Sequence, residues 1–144
     1  MSAAPITGRC YCGATTIHAA QAPQTVAYCH CDDCRRVTGA PVAAFAAFAE
    51  GDVTVAPAGA TVRANPGVAR TFCPACGSPL TGRYDYLPGQ VFVSLGLLDQ
   101  AADLAPQLHA HAGTALPWLH ITDDLPRVEA SSRDTLGEAA DTGE

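Results

Sequence analysis

A mainly β fold with few short helices is predicted by three observations. Glycine and proline are dense, 13 and 11 residues of 144, and they cut the apolar material into pieces mostly too short for helices. The clearest piece, Val91-Phe92-Val93-Ser94-Leu95, is bounded by Pro88-Gly89 before it and Gly96 after it, as a strand between turns should be. The seven cysteines fall into three tight groups at residues 10–12, 29–34 and 73–76, a spacing that lets metal ions tie short strands together.

In chain order, strands are expected at 14–19, 25–30, 42–48, 53–55, 61–64, 68–72, 81–86, 90–95, 108–112 and 118–122. Residues 41–50 read two ways. Their alanines suit a helix, with Phe45 and Phe48 on one helical face, but strand is the reading adopted. Residues 97–104 can form a helical turn with Asp99 as N-cap. The stretch 131–144 is small, polar and acidic and is read as a disordered tail. Residues 1–130 form a single zinc-binding domain, since no linker or internal repeat divides them.

Composition removes whole classes of function. All eight basic residues are arginines, which excludes a Schiff-base lysine, a P-loop lysine and a lysine general base. No Gly-x-Ser-x-Gly elbow is present. The formal charge is −6, and it reaches −9 if all seven thiols ionise around two zinc ions, so nucleic acid would be repelled. No run approaches the ~18 apolar residues of a membrane span, and the N-terminus lacks a basic start and apolar core. An odd cysteine count fits a reduced, cytoplasmic setting better than a disulfide scaffold.

The cysteine groups divide into two ligand sets. Cys10 and Cys12, one residue apart, leave the same face of an extended segment. Cys73-Pro74-Ala75-Cys76-Gly77 forms a tight knuckle, with proline fixing φ and Gly77 free to turn left-handed. Cys10, Cys12, Cys73 and Cys76 therefore make the closed four-thiolate set of a structural zinc. Cys29, Cys31 and Cys34 remain, and three ligands leave a tetrahedral corner open for chemistry. Three thiolates donate heavily to zinc, which suits holding an incoming thiol as thiolate better than activating water. The alternative is a fourth protein ligand and a second structural site.

Neighbouring polar residues admit plainer roles. His30 should point away from a metal held by its flanking cysteines. His109 and His111 share one face of an expected strand and could supply a fourth ligand or a proton relay, but strand histidines more often simply hydrogen-bond, and that is the reading adopted. Asp32 and Asp33 are read as turn residues capping backbone N–H groups. Arg35 is either a surface charge or a bidentate clamp for a substrate carboxylate, and is carried forward as the substrate-binding candidate.

These motifs resemble a known family. Gly8-x-Cys10-x-Cys12-Gly13, Cys29-His30-Cys31-x-x-Cys34-Arg35 with Thr38-Gly39-Ala40, Phe72-Cys73-x-x-Cys76-Gly77 and the closing Trp118-Leu119-His120-Ile121-x-Asp123-Asp124-Leu125-Pro126 are similar to the motif series of the glutathione-dependent formaldehyde-activating enzyme and centromere protein V family. Asp124 stands where that pattern has glycine. The resemblance implies an Mss4-like fold of packed antiparallel sheets, a four-cysteine structural zinc and a three-cysteine zinc at the middle motif. It also implies a carbon–sulfur lyase-type activity that joins a small thiol such as glutathione to an aldehyde, or reverses that step. Tyr28 and Tyr84 are the possible proton donors to the developing alkoxide. The competing reading is a non-catalytic, zinc-stabilised protein-binding module.

Overall fold

The computed structural model describes residues 5–130. The strands are β1 Ile6–Arg9, β2 Thr16–Ala19, β3 Thr25–Cys29, β4 Ala43–Ala49, β5 Val53–Ala56, β6 Ala60–Val62, β7 Val68–Phe72, β8 Pro79–Tyr84, β9 Gln90–Ser94 and β10 Leu108–Ala110. One α-helix, α1 (Asp32–Thr38), follows β3. The mainly β expectation holds. A three-stranded sheet runs β1-β2-β5 and a seven-stranded sheet runs β10-β3-β4-β9-β8-β7-β6. All pairings are antiparallel except β10, which lies parallel to β3.

Strand β4 shows how the sheets meet. Its side chains alternate, so Ala46 and Phe48 face one way while Ala43, Phe45 and Ala47 face the other. Phe48 and Ala46 join Val26, Val91 and Val93 against Ile6, Ile17 and Ala19 of the small sheet, and this buried layer closes the core between the two sheets. Phe45, Ala47 and Phe92 instead line the outer face of the large sheet, where α1 brings Cys34 down onto them. The two phenylalanines that would share a helical face are thus split between two layers, which is why the alanine-rich stretch is a strand. Gly8 in β1 is required sterically: a Cβ there would come within 2.5 Å of the Leu97 carbonyl oxygen.

Several expectations need correction. β1 is a strand that the sequence reading did not assign. Residues 118–122 form no strand, because the open edge of β10 is taken by 126–130 instead. His109 N–H donates to the Pro126 carbonyl, Val128 N–H to the His109 carbonyl, and His111 N–H to the Ala130 carbonyl. Asp32 and Asp33 are not a turn but the first turn of α1, where carboxylates complement the N–H groups of the helix start. Two 3-10 turns, Leu95–Leu97 and Ala101–Asp103, replace the single helical turn. Asp99 caps neither; its carboxylate accepts from the Thr7 hydroxyl at 2.8 Å. The expected tail at 131–144 lies outside the described residues. No helix among the described residues is long and apolar enough to cross a membrane.

Candidate metal centre and active site

The first and third cysteine motifs fold into two matching knuckles. Cys10 N–H donates to the Thr15 carbonyl and Cys73 N–H to the Ser78 carbonyl, each at 3.0 Å; Gly13 and Gly77 N–H return to the Cys10 and Cys73 carbonyls. Both glycines sit at positive φ, +84° and +79°, which those tight returns require. Cys10 and Cys12 are therefore presented by a turn and not by an extended segment, a correction to the expected geometry. The Tyr11 N–H donates to the Ser78 hydroxyl at 3.0 Å and ties one knuckle to the other.

All four sulfurs of Cys10, Cys12, Cys73 and Cys76 lie within 4.8 Å of one another. Backbone N–H groups point at them, Thr15 onto Cys10 Sγ at 3.3 Å and Ala14 onto Cys12 Sγ at 3.4 Å. Charge-assisted N–H bonds to sulfur favour thiolates, and the Ser78 hydroxyl with its backbone holds Cys76 down at about 5. Four convergent thiols so arranged fit a tetrahedral zinc, and they join β1–β2 to β7–β8.

The middle motif is presented by the end of β3 and the start of α1. Cys31 is the N-cap, its sulfur accepting from Cys34 N–H at 3.2 Å. Cys29 donates to Cys31 at 3.4 Å. Hydrogen bonds from Cys29, foremost, and then from Cys34 lower the Cys31 pKa, while Cys29, its hydrogen committed to Cys31, is pushed up. His111 joins them: its ring nitrogen and the sulfurs of Cys29 and Cys31 lie within 4.8 Å. The sequence reading kept His111 out of the ligand set. It placed His111 on one strand face with His109 and took both for ordinary hydrogen-bonding histidines, but β10 stops at Ala110 and His111 takes the left-handed conformation, φ 54°, which swings it off the His109 face. Cys29, Cys31 and His111 fit a second metal site; Cys34, expected as its third cysteine, lines the same cavity but falls outside this converging set.

His109 faces the opposite way, into a buried chain. Asp123 Oδ2 accepts from His109 Nε2 at 3.0 Å, so His109 Nδ1 must accept from His30 Nε2 at 2.9 Å. His30 Nδ1 is then an acceptor, buried and unpartnered. Burial, above all, lowers the His30 pKa and keeps it neutral. The His109 hydrogen bond, foremost, holds Asp123 down at about 2. Tyr28 stacks on His109 with ring centres 4.5 Å apart. His30 thus has the hydrogen-bonding role expected of it; its partner is His109 of β10, which the closing motif holds in turn through Asp123.

A cavity of about 340 Å³ opens on the cysteine trio. Its walls include Cys29, Cys31, Cys34 and His111, the apolar Phe45, Leu87 and Phe92, and Arg70 with Tyr84. Tyr28 is absent from that lining. Arg35 is absent too; its guanidinium reaches Asp32 at 3.8 Å and its Nε is buried without a partner. Arg70, which the sequence reading did not single out, is the arginine of this cavity. An arginine in mid-strand reads as surface charge, and only the structure turns it inward over Tyr84, 5.4 Å from the ring centre.

Fold and site together define a mainly β protein with two separate cysteine centres, one of them opening on a cavity. The chain belongs to the glutathione-dependent formaldehyde-activating enzyme family, whose model matches residues 5–114. The crystal structure of a Rhodobacter sphaeroides protein is similar, at 19% identity and a TM-score of 0.51, over 85% of this chain and 99% of that one. At that identity the likeness establishes the fold alone. Comparison with curated proteins gave no match.

Proposed function

We propose that the protein forms or cleaves an adduct between a small thiol, glutathione or a relative, and formaldehyde or another aldehyde, a carbon–sulfur lyase-type activity. One observation carries this reading: Cys29, Cys31, Cys34 and His111 meet on the wall of a cavity large enough for a small-molecule thiol, whereas the other four cysteines sit in a knuckle pair suited to architecture. Family membership supports the same chemistry.

Cys10, Cys12, Cys73 and Cys76 would hold a structural zinc. Cys29, Cys31 and Cys34 would hold a second, with His111 as a further candidate donor. Zinc in that position supplies a Lewis acid that keeps a bound thiol ionised yet nucleophilic. The chain's own residues do the rest. Phe45, Leu87 and Phe92 wall the cavity and exclude water from the reacting carbonyl, and the first turn of α1 orients Cys31 and Cys34 towards it. A reducing, cytoplasmic setting suits seven unpaired cysteines.

The test is NMR magnetisation exchange between formaldehyde hydrate and the adduct, with metal-loaded protein, glutathione and alternative cellular thiols. Exchange faster than the uncatalysed rate, and lost in Cys31→Ser, is expected. Exchange at the uncatalysed rate with every thiol would overturn the proposal.

A further inference from the structure

The mechanism above leaves one requirement unmet. As sulfur attacks the aldehyde, the C–S bond forms, the C=O π bond breaks, and its electron pair moves to oxygen. Charge developing there needs a preorganised donor. Neither the cysteine trio nor the apolar walls provide one.

The cavity wall carries a pair of that kind. Arg70 on β7 and Tyr84 on β8 face each other, with Arg70 Nη1 donating to the Tyr84 hydroxyl oxygen at 3.2 Å. Since Tyr84 accepts from the arginine, its own hydrogen is free to donate elsewhere. Arg70 has no carboxylate partner among the described residues, and with Tyr84 it lines the same cavity as Cys29, Cys31 and Cys34. The pair therefore stands directly beside the trio.

The backbone is shaped for this meeting. Gly82 lies opposite Arg70 in the β7–β8 register, two residues before Tyr84 on the same face. A Cβ at Gly82 would stand 2.8 Å from the Tyr84 hydroxyl oxygen and 3.4 Å from Arg70 Nη1. A glycine inside a strand ordinarily weakens it, and here it marks a close approach. It clears the space in which the phenol folds back over the strand to reach the arginine.

We infer that Tyr84, positioned and polarised by Arg70 across Gly82, binds the carbonyl oxygen of the aldehyde and the oxyanion it becomes. The inference rests on the thiol–aldehyde reading and supplies its missing electrophile site. Tyr84 is the catalytic residue, since it touches the reacting oxygen; Arg70 and Gly82 act through it. The proton that completes the hydroxyl comes from solvent and balances the one lost when the thiol ionised. In the cleaving direction Tyr84 meets the adduct's hydroxyl oxygen, and the same groups serve in reverse.

The experiment uses metal-loaded protein, glutathione and formaldehyde, with the variants Tyr84→Phe, Arg70→Gln and Gly82→Ala. Tyr84→Phe keeps the ring that packs edge-on to Phe92 at 5.2 Å, so the fold should survive. All three should lower the maximal exchange rate about tenfold or more. None should weaken glutathione binding, read from the cobalt-substituted spectrum. Labelling tyrosine at Cζ gives a readout independent of turnover: the Tyr84 resonance, identified by its loss in Tyr84→Phe, should move on adding formaldehyde with glutathione and stay still with glutathione alone. An unchanged rate in Tyr84→Phe overturns the inference, and so does glutathione affinity falling in step with rate, which would place the pair against the body of the thiol. A wild-type cobalt spectrum indifferent to every thiol would instead overturn the underlying reading, and the two failures are separable.

Discussion

Replacing His109 by alanine should be among the most damaging single changes outside the cysteines. The side chain is 1% exposed and bridges two others, His30 Nε2 at 2.9 Å and Asp123 Oδ2 at 3.0 Å. Its removal leaves the His30 N–H unpaired in a site that is 4% exposed, a cost of about 1–3 kcal/mol. Asp123 loses less, because Arg127 at 2.8 Å and the Leu125 N–H at 3.0 Å still bind its other oxygen. The void under the Tyr28 ring adds about 2 kcal/mol. Together the loss is about 4 kcal/mol, against a typical domain stability of about 5–15 kcal/mol. At about 3 °C per kcal/mol for a chain of this size, the melting temperature should drop by about 12 °C. Urea denaturation of the metal-loaded protein measures this, and a cycle with Asp123→Ala should return a coupling of about 1–2 kcal/mol. A loss below about 1 kcal/mol, or strict additivity with Asp123→Ala, would refute the buried chain as a structural unit.

Three further outcomes are expected. Cys73→Ser should unfold the domain, since closing a four-thiolate site supplies roughly 10 kcal/mol or more of folding free energy, whereas Cys31→Ser should keep the far-UV circular dichroism and lose thiol binding. His111→Ala should alter the cobalt-substituted spectrum before thiol is added and leave the thiol-bound spectrum like that of the wild type; an unaltered starting spectrum would remove His111 from the ligand set. Titration with a chelator should strip one equivalent of metal from the cavity-lining site without loss of secondary structure, and the second only with unfolding. A single cooperative release would contradict two independent centres.

The quartet was legible because its signals are local: paired thiols with glycine behind them leave a chain few other uses, and both knuckles close through the same backbone bonds. His111 could be named as a possible donor but not told apart from His109, because its place depends on where β10 ends and on one left-handed residue, neither of which a two-residue period can reveal. Helix α1 escaped notice since its seven residues open on Asp32-Asp33, which serve turns and helix starts equally well, and its N-cap is a cysteine already assigned to metal. Residues 118–122 are apolar enough for a strand, yet β10 offers its edge to 126–130, a competition settled by tertiary pairing. Arg70 and Tyr84 lie on consecutive strands and become a pair only through the β7–β8 register and the missing side chain at Gly82.

The division of cysteines into an architectural quartet and a reactive trio is tested most directly by counting metal in the purified protein and following its cobalt-substituted spectrum as glutathione and other cellular thiols are added. Two ions per chain are predicted, with the trio's band shifting on thiol binding and the quartet's band unmoved. A disulfide among Cys29, Cys31 and Cys34, or two spectra equally blind to every thiol, would contradict the account.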